Sequence, residues 1–540
     1  MYRQTLSQSH FPATDERKIE SISIGAALAR AAEDSPRTTA LREVTIGGEI
    51  GRSWTYKELN DQARRLAGAL LVRHEPGDRI AIFAHNVPEW VLMEYAAAIA
   101  GLTLVTVNPS FQPREVKYVV EQSRSRGIYC VENYRGNPIA KIARDVAAEV
   151  PAVAHVIDIC DEEALYAGAD AAPALPKSSP RDPVQIQYTS GTTGFPKGAV
   201  LHHEGLYNNG KLTLERLGVK AGDKYLNPMP LFHTAGCVLA VLGCLSRRAT
   251  LYLAAMFDAP ALIRIAEQER ITALLGVPTM ITGLVEAQDA AQRDLSSVRG
   301  IFSGGSMVAP ELVKRAQTAF GAKFQIIYGQ TETSPVLTAV WGDDSFEDAT
   351  ETIGQPLPHT EVSIRDPATN AIVPVGATGE ICARGYMIML EYNDNPEATK
   401  NAIDAEGWLH TGDLGTMDAR GFVKITGRVK EMIIRGGENL FPAEIENAML
   451  EHPEISEVAV VGLPDERFGE IVACFLRCKG AGEPLRREDL VRHCRSILSP
   501  QKTPSVWVMV EEWPLTGSGK IRKFLLREMY EAGKFEGRAL

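Results

Sequence analysis

The segment from Tyr188 to Val200 reads YTSGTTGFPKGAV and concentrates phosphate-binding chemistry in a short span. Its glycines let backbone N–H groups approach phosphate oxygens, while its hydroxyls add donors and its lysine adds a mobile positive charge. The residues that carry these properties are Thr189, Ser190, Gly191, Thr192, Thr193, Gly194 and Lys197. We therefore predict that this segment cradles a polyphosphate group.

The predicted cradle differs from a Walker A loop. In a Walker A loop, the second glycine comes five residues after the first and is followed by lysine and then Ser or Thr. Here Pro196 stands five residues after Gly191, and Lys197 is followed by glycine. The later Gly-Ser-Gly-Lys run that ends at Lys520 fails the same test, because Ile521 follows it. A P-loop kinase or ATPase is therefore disfavoured.

Three further motifs place polar groups at strand ends or turns. Residues 328–332 (YGQTE) follow a predicted strand, and open α/β sheets bind ligands at the carboxyl ends of their strands. Residues 303–306 (SGGS) also end a strand, so they could line adenine and acyl sites or cap a helix. Asp413 follows a turn glycine, and a carboxylate is a common acceptor for two ribose hydroxyls. Together the motifs suit a nucleotide.

The elements that must position these motifs follow from hydrophobic periodicity. Thr55 and Glu58 form a capping box before an amphipathic helix. Strands are then predicted at 79–84, 102–107, 127–131, 251–253, 273–277, 300–303 and 325–328. Helices are predicted between them at 87–100, 115–122, 204–217, 259–269, 278–290 and 310–320. Such alternation predicts α/β architecture with parallel, doubly wound sheets.

The pattern of predicted secondary structure changes towards the C-terminus. Short strands with turns from residue 360 to 383 predict a small β subdomain. The last hundred or so residues predict a small α+β domain, with helices at 444–451 and 486–496 and strands at 458–461 and 471–477. We expect a large N-terminal domain at 1–427, a hinge at 428–431 and a mobile C-terminal domain at 432–540.

Composition narrows the classes of function. A net charge of −11 argues against nucleic acid or an anionic membrane as the main partner. The eight cysteines show neither a CxxC pair nor zinc spacing, which indicates reduced structural thiols. Residues 1–20 mix polar and charged residues without an apolar h-region, so we expect no secretory signal there, and no apolar run reaches the roughly 18–20 residues that a membrane span needs. We expect a cytoplasmic protein that is not integral to a membrane, and leave open a homodimer.

These motifs together resemble the adenylate-forming superfamily of acyl-CoA synthetases, firefly luciferases and the adenylation domains of peptide synthetases. The resemblance extends from Trp54-Thr55-Tyr56 to the terminal lysine. It implies ATP, magnesium and coenzyme A. In the ATP site it implies Gly305, Tyr328 on adenine, Gly329, Gln330, Thr331 on the α-phosphate, Glu332 and Thr189 on magnesium, and Asp413 and Arg428 on ribose. Lys520 is implied as the lysine that stabilises charge developing during adenylation, with Thr193, Lys197 and Glu332 as further catalytic residues.

The resemblance also implies two groups of residues beyond the nucleotide. Arg435, Gly436, Gly437 and Glu438 match the glycine loop that borders the pantetheine tunnel in acyl-CoA synthetases, and Lys430 matches the hinge about which the small domain rotates. Relatives that activate amino acids carry an aspartate where this chain has His233. A hydrophobic acid is therefore expected in a pocket formed by His233, Cys237, Val238, Val241, Val277, Thr279 and Gly304, where His233 acts as a gate or simply packs.

The predicted function is an AMP-forming acyl-CoA synthetase that activates a hydrophobic carboxylic acid, most plausibly a medium-chain fatty acid. The acid and ATP would give acyl-AMP and pyrophosphate, and coenzyme A would then accept the acyl group. Alternatives are an acyl-AMP ligase that loads a carrier protein, an aryl or alicyclic acid–CoA ligase, a luciferase-like oxidase and a silent acyl-nucleotide binder. The thiol comes from coenzyme A, so the cysteines need no catalytic role.

Overall fold

A computed structural model describes residues 1–189, 196–436, 438–479, 485–514, 521–538 and 540. The side chains of Glu438 and Asn439 lie outside this description. So do the predicted site residues Ser190, Gly191, Thr192, Thr193, Gly194, Gly437 and Lys520. The roles of these residues therefore stay predictions.

The secondary structure is numbered in chain order. The α-helices are α1 Ile24–Asp34, α2 Tyr56–Arg73, α3 Pro88–Ile99, α4 Pro113–Ser123, α5 Ile139–Glu149, α6 Glu162–Tyr166, α7 His203–Arg216, α8 Gly243–Arg247, α9 Ala259–Gln268, α10 Pro278–Ala291, α11 Pro310–Phe320, α12 Phe346–Glu351, α13 Pro396–Ala402, α14 Pro442–Leu450, α15 Arg487–Ile497 and α16 Lys523–Glu531. The strands of the N-terminal sheets are β1 His10–Phe11, β2 Thr39–Val44, β3 Ile50–Thr55, β4 Arg79–Phe83, β5 Thr103–Val107, β6 Gly127–Cys130, β7 His155–Asp158, β8 Pro183–Thr189, β9 Lys197–His202, β10 Lys224–Asn227, β11 Thr250–Ala254, β12 Ala273–Leu275, β13 Gly300–Gly304, β14 Lys323–Gly329, β15 Val336–Ala339, β16 Gln355–Pro356, β17 Thr360–Arg365, β18 Gly379–Gly385, β19 Glu391–Tyr392, β20 Leu409–Met417 and β21 Val423–Arg428. The remaining strands are β22 Ile433–Arg435, β23 Glu438–Leu440, β24 Ile455–Asp465, β25 Gly469–Cys478 and β26 Val506–Met509.

Two large sheets dominate the N-terminal part of the chain. One sheet has the order β19-β9-β8-β5-β4-β6-β7 and the other β16-β15-β14-β13-β12-β10-β11-β2-β3. Their central strands pair in parallel, with helices in the connections, as the alternating pattern predicts. Antiparallel strands β9 and β19 extend the first sheet, and β3, β15 and β16 extend the second. The doubly wound α/β prediction is confirmed, in the form of mixed sheets.

Helix α2 shows why local signals worked well here. Thr55 accepts a hydrogen bond from the backbone N–H of Glu58, and the Glu58 carboxylate accepts one from the backbone N–H of Thr55. This reciprocal capping box satisfies donors that a helix N-terminus otherwise leaves unpaired. The apolar face of α2 is buried against α1 and α3. The predicted capping box is confirmed.

A π-helix at Ala235–Leu242 lies among helices α3 and α7 and strand β10. Most of its residues are buried. Helix α7 approaches it so closely that a Cβ on Gly210 would lie 2.8 Å from the carbonyl oxygen of Val238. π-Helices are rare and frequently occur at functional sites. This one supplies three residues of the predicted acyl pocket.

The small β subdomain and the C-terminal α+β unit are present as predicted, but one strand of the C-terminal unit is longer than predicted. Strands β1, β17, β18, β20 and β21 form a separate antiparallel sheet, which includes the predicted β subdomain. In the C-terminal α+β unit, β24 pairs with β25 over Ile455–Asp465, so the strand predicted at 458–461 is too short. The cross-strand hydrogen bonds of a long hairpin extend the pairing into polar residues that periodicity alone does not assign to a strand. Across the described ranges, we find no helix with both the length and the apolar character of a bilayer span.

Candidate active site

The predicted phosphate cradle connects the two strands of a hairpin. Strands β8 and β9 pair antiparallel, and Thr189 stands opposite Lys197 in the register. The Thr189 hydroxyl donates to the carbonyl oxygen of Lys197 at 3.4 Å. Thr189 and Lys197, the two ends of the connection, are thereby held together.

A buried acid lies beside the cradle lysine. Tyr392 donates a hydrogen bond to Oε1 of Glu332 at 2.6 Å, and the Lys197 ammonium lies 4.9 Å from the centre of the Tyr392 ring. Burial, together with the neighbouring Glu332 carboxylate, raises the pKa of the Tyr392 phenol, which therefore stays a donor. Strand β19 pairs with β9 and so carries Tyr392 between the two motifs. Lys197 and Glu332, far apart in sequence, thus belong to one cluster.

Sequence reasoning missed Tyr392. A tyrosine in a short polar segment has no motif around it, and its role depends on the pairing of β19 with β9. The neighbouring backbone supports the same arrangement, because the N–H of Met389 donates to the carbonyl oxygen of Glu332 and the N–H of Leu390 to that of Val200. The segment 389–392 therefore joins the Glu332 motif to the cradle hairpin.

The predicted adenine and ribose residues form a second cluster. The hydroxyl of Tyr328 donates to Oδ2 of Asp413 at 2.8 Å, and Nε of Arg428 lies 3.0 Å from Oδ1 of the same carboxylate. Asp413 and Arg428 are directly opposite each other on β20 and β21. Tyr328 is buried, and burial, then Asp413, raises the pKa of its hydroxyl. An acidic acceptor, an aromatic ring and a half-exposed guanidinium are therefore in contact here, while their roles towards adenine and ribose stay predictions.

The turn that carries Asp413 is held by a buried glutamate. Oε1 of Glu380 accepts from the N–H of Gly412 at 2.9 Å, and Oε2 accepts from Nδ1 of His410 at 2.8 Å. The hydrogen bond to Glu380 raises the pKa of His410, which favours a charged pair. Cys382 also lies near His410, and burial raises the pKa of its thiol.

Glycine is required at two positions of the nucleotide motifs because backbones approach closely. A Cβ on Gly304 would lie 2.3 Å from the carbonyl oxygen of Ile327, and one on Gly329 would lie 1.8 Å from that of Pro335. Gly305 adopts a left-handed conformation with φ of 78°. Gln330 and Thr331 follow β14 directly and are partly exposed. The two glycine motifs thus lie at the ends of the adjacent strands β13 and β14.

The predicted acyl-pocket residues divide into an exposed group and a buried group. His233 and Thr279 are exposed, and Val277 and Gly304 are partly buried. By contrast, Cys237, Val238 and Val241 on the π-helix are fully buried. The structure therefore places His233 at the protein surface and the apolar side chains of the π-helix in the interior.

A buried polar chain that the sequence did not reveal lies behind Cys237. Gln185 donates to Oε1 of Glu94 at 2.7 Å, and Gln187 donates to Oε1 of Gln185 at 2.9 Å and contacts Sγ of Cys237 at 3.1 Å. All four side chains are buried. Burial raises the pKa of Glu94 well above 4.5, partly opposed by the bond from Gln185. Its other oxygen, Oε2, has no hydrogen-bond partner among the described residues.

The two glutamines of this polar chain lie on a central strand. Strand β8 is inside the sheet, with Gln185 and Gln187 covered and hydrogen-bonded. Buried amides are tolerated when their hydrogen bonds are satisfied, and Glu94 satisfies one of them.

The predicted hinge directly follows the last strand of the β subdomain, and the predicted glycine loop begins at Arg435, the last residue of β22 in the C-terminal unit. Lys430 is part of a one-turn 3₁₀-helix, Val429–Glu431, directly after β21. The Arg435 guanidinium donates to the carbonyl oxygen of Gln501 at 2.5 Å and lies over the ring of Phe468 at 5.2 Å. Gly436 is left-handed, with φ of 59°. Arg435 and Gly436 are therefore at the surface of the C-terminal unit.

The donor set near the cradle fits magnesium. Glu332 offers a carboxylate that Tyr392 already orients, and Thr189 offers a hydroxyl. Magnesium prefers oxygen ligands and is usually bound through one or two carboxylates plus substrate phosphates. Glu332 and Thr189 would be its protein ligands.

Comparison with known proteins identifies the family of this chain. The AMP-binding enzyme family matches residues 28–393, and the C-terminal domain of AMP-binding enzymes matches residues 444–520. One relative is YngI of Bacillus subtilis (strain 168), which is provisionally named an acyl-CoA synthetase. It is 36% identical over 516 residues, which cover 90% of this chain and 94% of YngI. The mitochondrial medium-chain acyl-CoA ligase ACSF2 of Danio rerio is 34% identical over 558 residues, covering 98% of this chain and 91% of the relative. The solved fatty acyl CoA synthetase of Mycobacterium tuberculosis superposes with a TM-score of 0.76 at 30% identity, covering 95% of this chain and 99% of that one. The chain therefore belongs to the AMP-binding enzyme family and is an adenylate-forming acid–thiol ligase of the acyl-CoA synthetase type.

Proposed function

We propose that this enzyme converts a medium-chain fatty acid, with magnesium and ATP, into acyl-AMP and pyrophosphate, and then transfers the acyl group to coenzyme A. The observation that carries the nucleotide half of this proposal is the Lys197–Tyr392–Glu332 cluster beside the cradle hairpin. The apolar residues of the π-helix support a hydrophobic acid. The name of the Danio rerio relative supports medium chain length.

In the first half-reaction, an oxygen of the fatty acid carboxylate attacks the α-phosphorus of ATP, and pyrophosphate leaves. Lys197 supplies positive charge to the phosphates, and Asp413 accepts the ribose hydroxyls, with Tyr328 and Arg428 holding its carboxylate. Magnesium, when bound, would neutralise negative charge on the phosphates. Lys520 stabilises the charge that grows on the α-phosphate and the carboxylate.

In the second half-reaction, the sulfur of coenzyme A attacks the acyl carbon of acyl-AMP, the thioester forms and AMP leaves. The small domain rotates about Lys430, which withdraws Lys520 and brings the loop of Arg435, Gly436, Gly437 and Glu438 to the thiol route. Hinge motions of this kind separate successive steps in many enzymes. The proposed domain limits are 1–427 and 432–540, joined by 428–431.

The substrate test is a panel of straight-chain, branched, aromatic and alicyclic acids, scored by pyrophosphate release with coenzyme A present. We expect the highest kcat/KM with medium-chain fatty acids. If kcat/KM is higher with aromatic or alicyclic acids, the substrate is an acid of that class and not a medium-chain fatty acid. Side-by-side assays with coenzyme A and a phosphopantetheinyl carrier protein test the identity of the acyl acceptor. A preference for the carrier protein would show that coenzyme A is not the main acceptor.

The mechanistic test is the variant Lys520→Ala, with Lys534→Ala as the matched control on an exposed lysine of the same domain. We expect Lys520→Ala to slow adenylation by about 100- to 1,000-fold, the scale of one lost electrostatic contact in a transition state. Thioester formation from supplied acyl-AMP should survive. Equal loss of both half-reactions contradicts the two-step scheme.

A further inference from the structure

We propose that Lys523 is a positioning residue that clamps the hinge to the segment carrying the catalytic lysine, so that rotation of the small domain delivers Lys520 accurately. The inference rests on the proposed function of Lys430 and Lys520. The contacts that carry it, however, are all among described residues: Lys523, Glu431 and Glu446.

The clamp is a largely buried ammonium between two carboxylates. Nζ of Lys523 lies 2.8 Å from Oε2 of Glu431 and 2.8 Å from Oε1 of Glu446. Burial opposes the charge of this ammonium and the two carboxylates favour it, and the balance raises the pKa of Lys523. Surface ion pairs contribute little to stability. Removing one partner of a buried ion pair, by contrast, leaves the other charge uncompensated and is strongly destabilising. Loss of Lys523 would leave two acids facing each other.

Each partner of Lys523 belongs to a different functional segment. Glu431 ends the one-turn helix that contains Lys430, so it is the last residue of the proposed hinge 428–431. Glu446 lies on α14 and also accepts from the backbone N–H of Val460 in β24, which ties it to the core of the C-terminal unit. Lys523 therefore joins the hinge to the packed core of the small domain.

Lys523 also lies next to the catalytic-lysine segment. It is the first residue of α16 and stands three positions after Lys520. Just before it, the N–H of Arg522 donates to the carbonyl oxygen of Pro514 at 2.7 Å. The chain on either side of residues 515–520 is thus fastened together and then fastened to the hinge.

This arrangement matters for the adenylation step. Glu431 follows Lys430, so rotation at Lys430 moves Glu431, Lys523 and α16 as one body. Without the clamp, the hinge could turn without carrying the Lys520 segment to the same position. A misplacement of about 1 Å far from the reacting atoms can cost about 100-fold in rate. Supplied acyl-AMP needs no Lys520 for its reaction with coenzyme A.

The test is Lys523→Met in the full chain, assayed for pyrophosphate exchange and for thioester formation from supplied acyl-AMP. We expect the exchange kcat to fall by about 10- to 100-fold with little change in KM for ATP, and thioester formation to stay within about threefold of wild type. Lys523→Arg, which keeps a cation between the acids, should restore most of the exchange activity. The matched control is Arg527→Met on the same helix, which breaks two ion pairs, with Glu470 and Glu531, neither of which includes a hinge residue.

Glu431→Gln is the second variant, because it weakens only the hinge side of the clamp and leaves the Lys523–Glu446 pair. It should show the same selective loss to a smaller degree. This variant keeps the inference testable if Lys523→Met folds poorly. Equal loss of both half-reactions, an unchanged exchange rate in a folded Lys523→Met, or the same selective loss in Arg527→Met would overturn the inference. Absence of acyl-AMP formation by the wild-type enzyme would instead refute the proposed function itself.

Discussion

The buried carboxyl of Glu94 gives the prediction whose size follows most directly from the structure. Glu94 lies on α3 with 1% of its surface exposed, accepts one hydrogen bond from Gln185 and contacts no cation among the described residues. Burial raises its pKa well above the ordinary value of 4.5. The carboxyl is therefore neutral in the folded protein over a pH range in which it is ionised in the unfolded chain.

This difference links folding to pH. Above the unfolded value, the folded state holds a proton that the unfolded state releases, so each rise of one pH unit lowers the free energy of unfolding by about 1.4 kcal/mol. The loss begins near pH 4.5 and continues until the pH passes the raised pKa of the folded protein. Glu94→Gln keeps an acceptor for Gln185 and removes the ionisation.

We expect the free energy of unfolding of Glu94→Gln, relative to wild type, to rise by about 1.4 kcal/mol for each pH unit above 4.5, until the pH passes the raised pKa of Glu94. Urea denaturation at three pH values measures it, and Trp90, buried one turn before Glu94, is a fluorescent reporter. The slope is the test, because the amide also brings an additional buried donor that shifts both ends of the comparison equally.

The matched control is Glu89→Gln, on the same helix, where the carboxylate pairs with Arg52. It should show no gain that grows with pH. A difference infrared spectrum of wild type minus Glu94→Gln, recorded above pH 4.5 and below the raised pKa, should contain the band of a protonated carboxyl. Parallel stability curves for wild type and Glu94→Gln, without that band, would refute the reasoning.

Three further predictions concern the site. Asp413→Ala should raise KM for ATP at least about tenfold, because a charged hydrogen-bond acceptor worth about 1.5–3 kcal/mol is lost; an unchanged KM in pyrophosphate exchange speaks against the ribose role. Lys430→Pro should retain pyrophosphate exchange and block acyl-CoA formation, since proline restricts the rotation; full acyl-CoA output removes the hinge assignment. Gly329→Ala should unfold at lower temperature, because its Cβ would lie 1.8 Å from the carbonyl oxygen of Pro335; an unchanged melting temperature contradicts the close approach.

Local sequence signals predicted a large part of the fold. The capping box of Thr55 and Glu58 and the strands β4, β5 and β6 lie within a residue or two of their predicted positions. These signals worked because parallel strands buried on both faces read as apolar runs and because helix caps depend on residues only three positions apart. The π-helix at Ala235–Leu242 was not predicted, since an apolar run does not distinguish one kind of helix from another.

The polar interior was less accessible to sequence reasoning. Sequence reasoning made no prediction that Gln185, Gln187 and Glu94 are buried. They are buried because the π-helix and α3 cover that face of β8, and they are tolerated there because they bond one another. A glutamate and a glutamine 91 positions apart carry no local pattern that announces their contact.

The sequence by itself determined which chemical groups this protein has: a glycine-rich run with hydroxyls and Lys197, an acid at Glu332 and a carboxylate at Asp413. Only the tertiary structure decided how they work together. The pairing of β19 with β9 carries Tyr392 between Lys197 and Glu332, and the pairing of β20 with β21 sets Arg428 against Asp413. The physical reason is that residue types and short spacings act within a few positions, whereas hydrogen bonds between distant strands form only when the whole chain has packed.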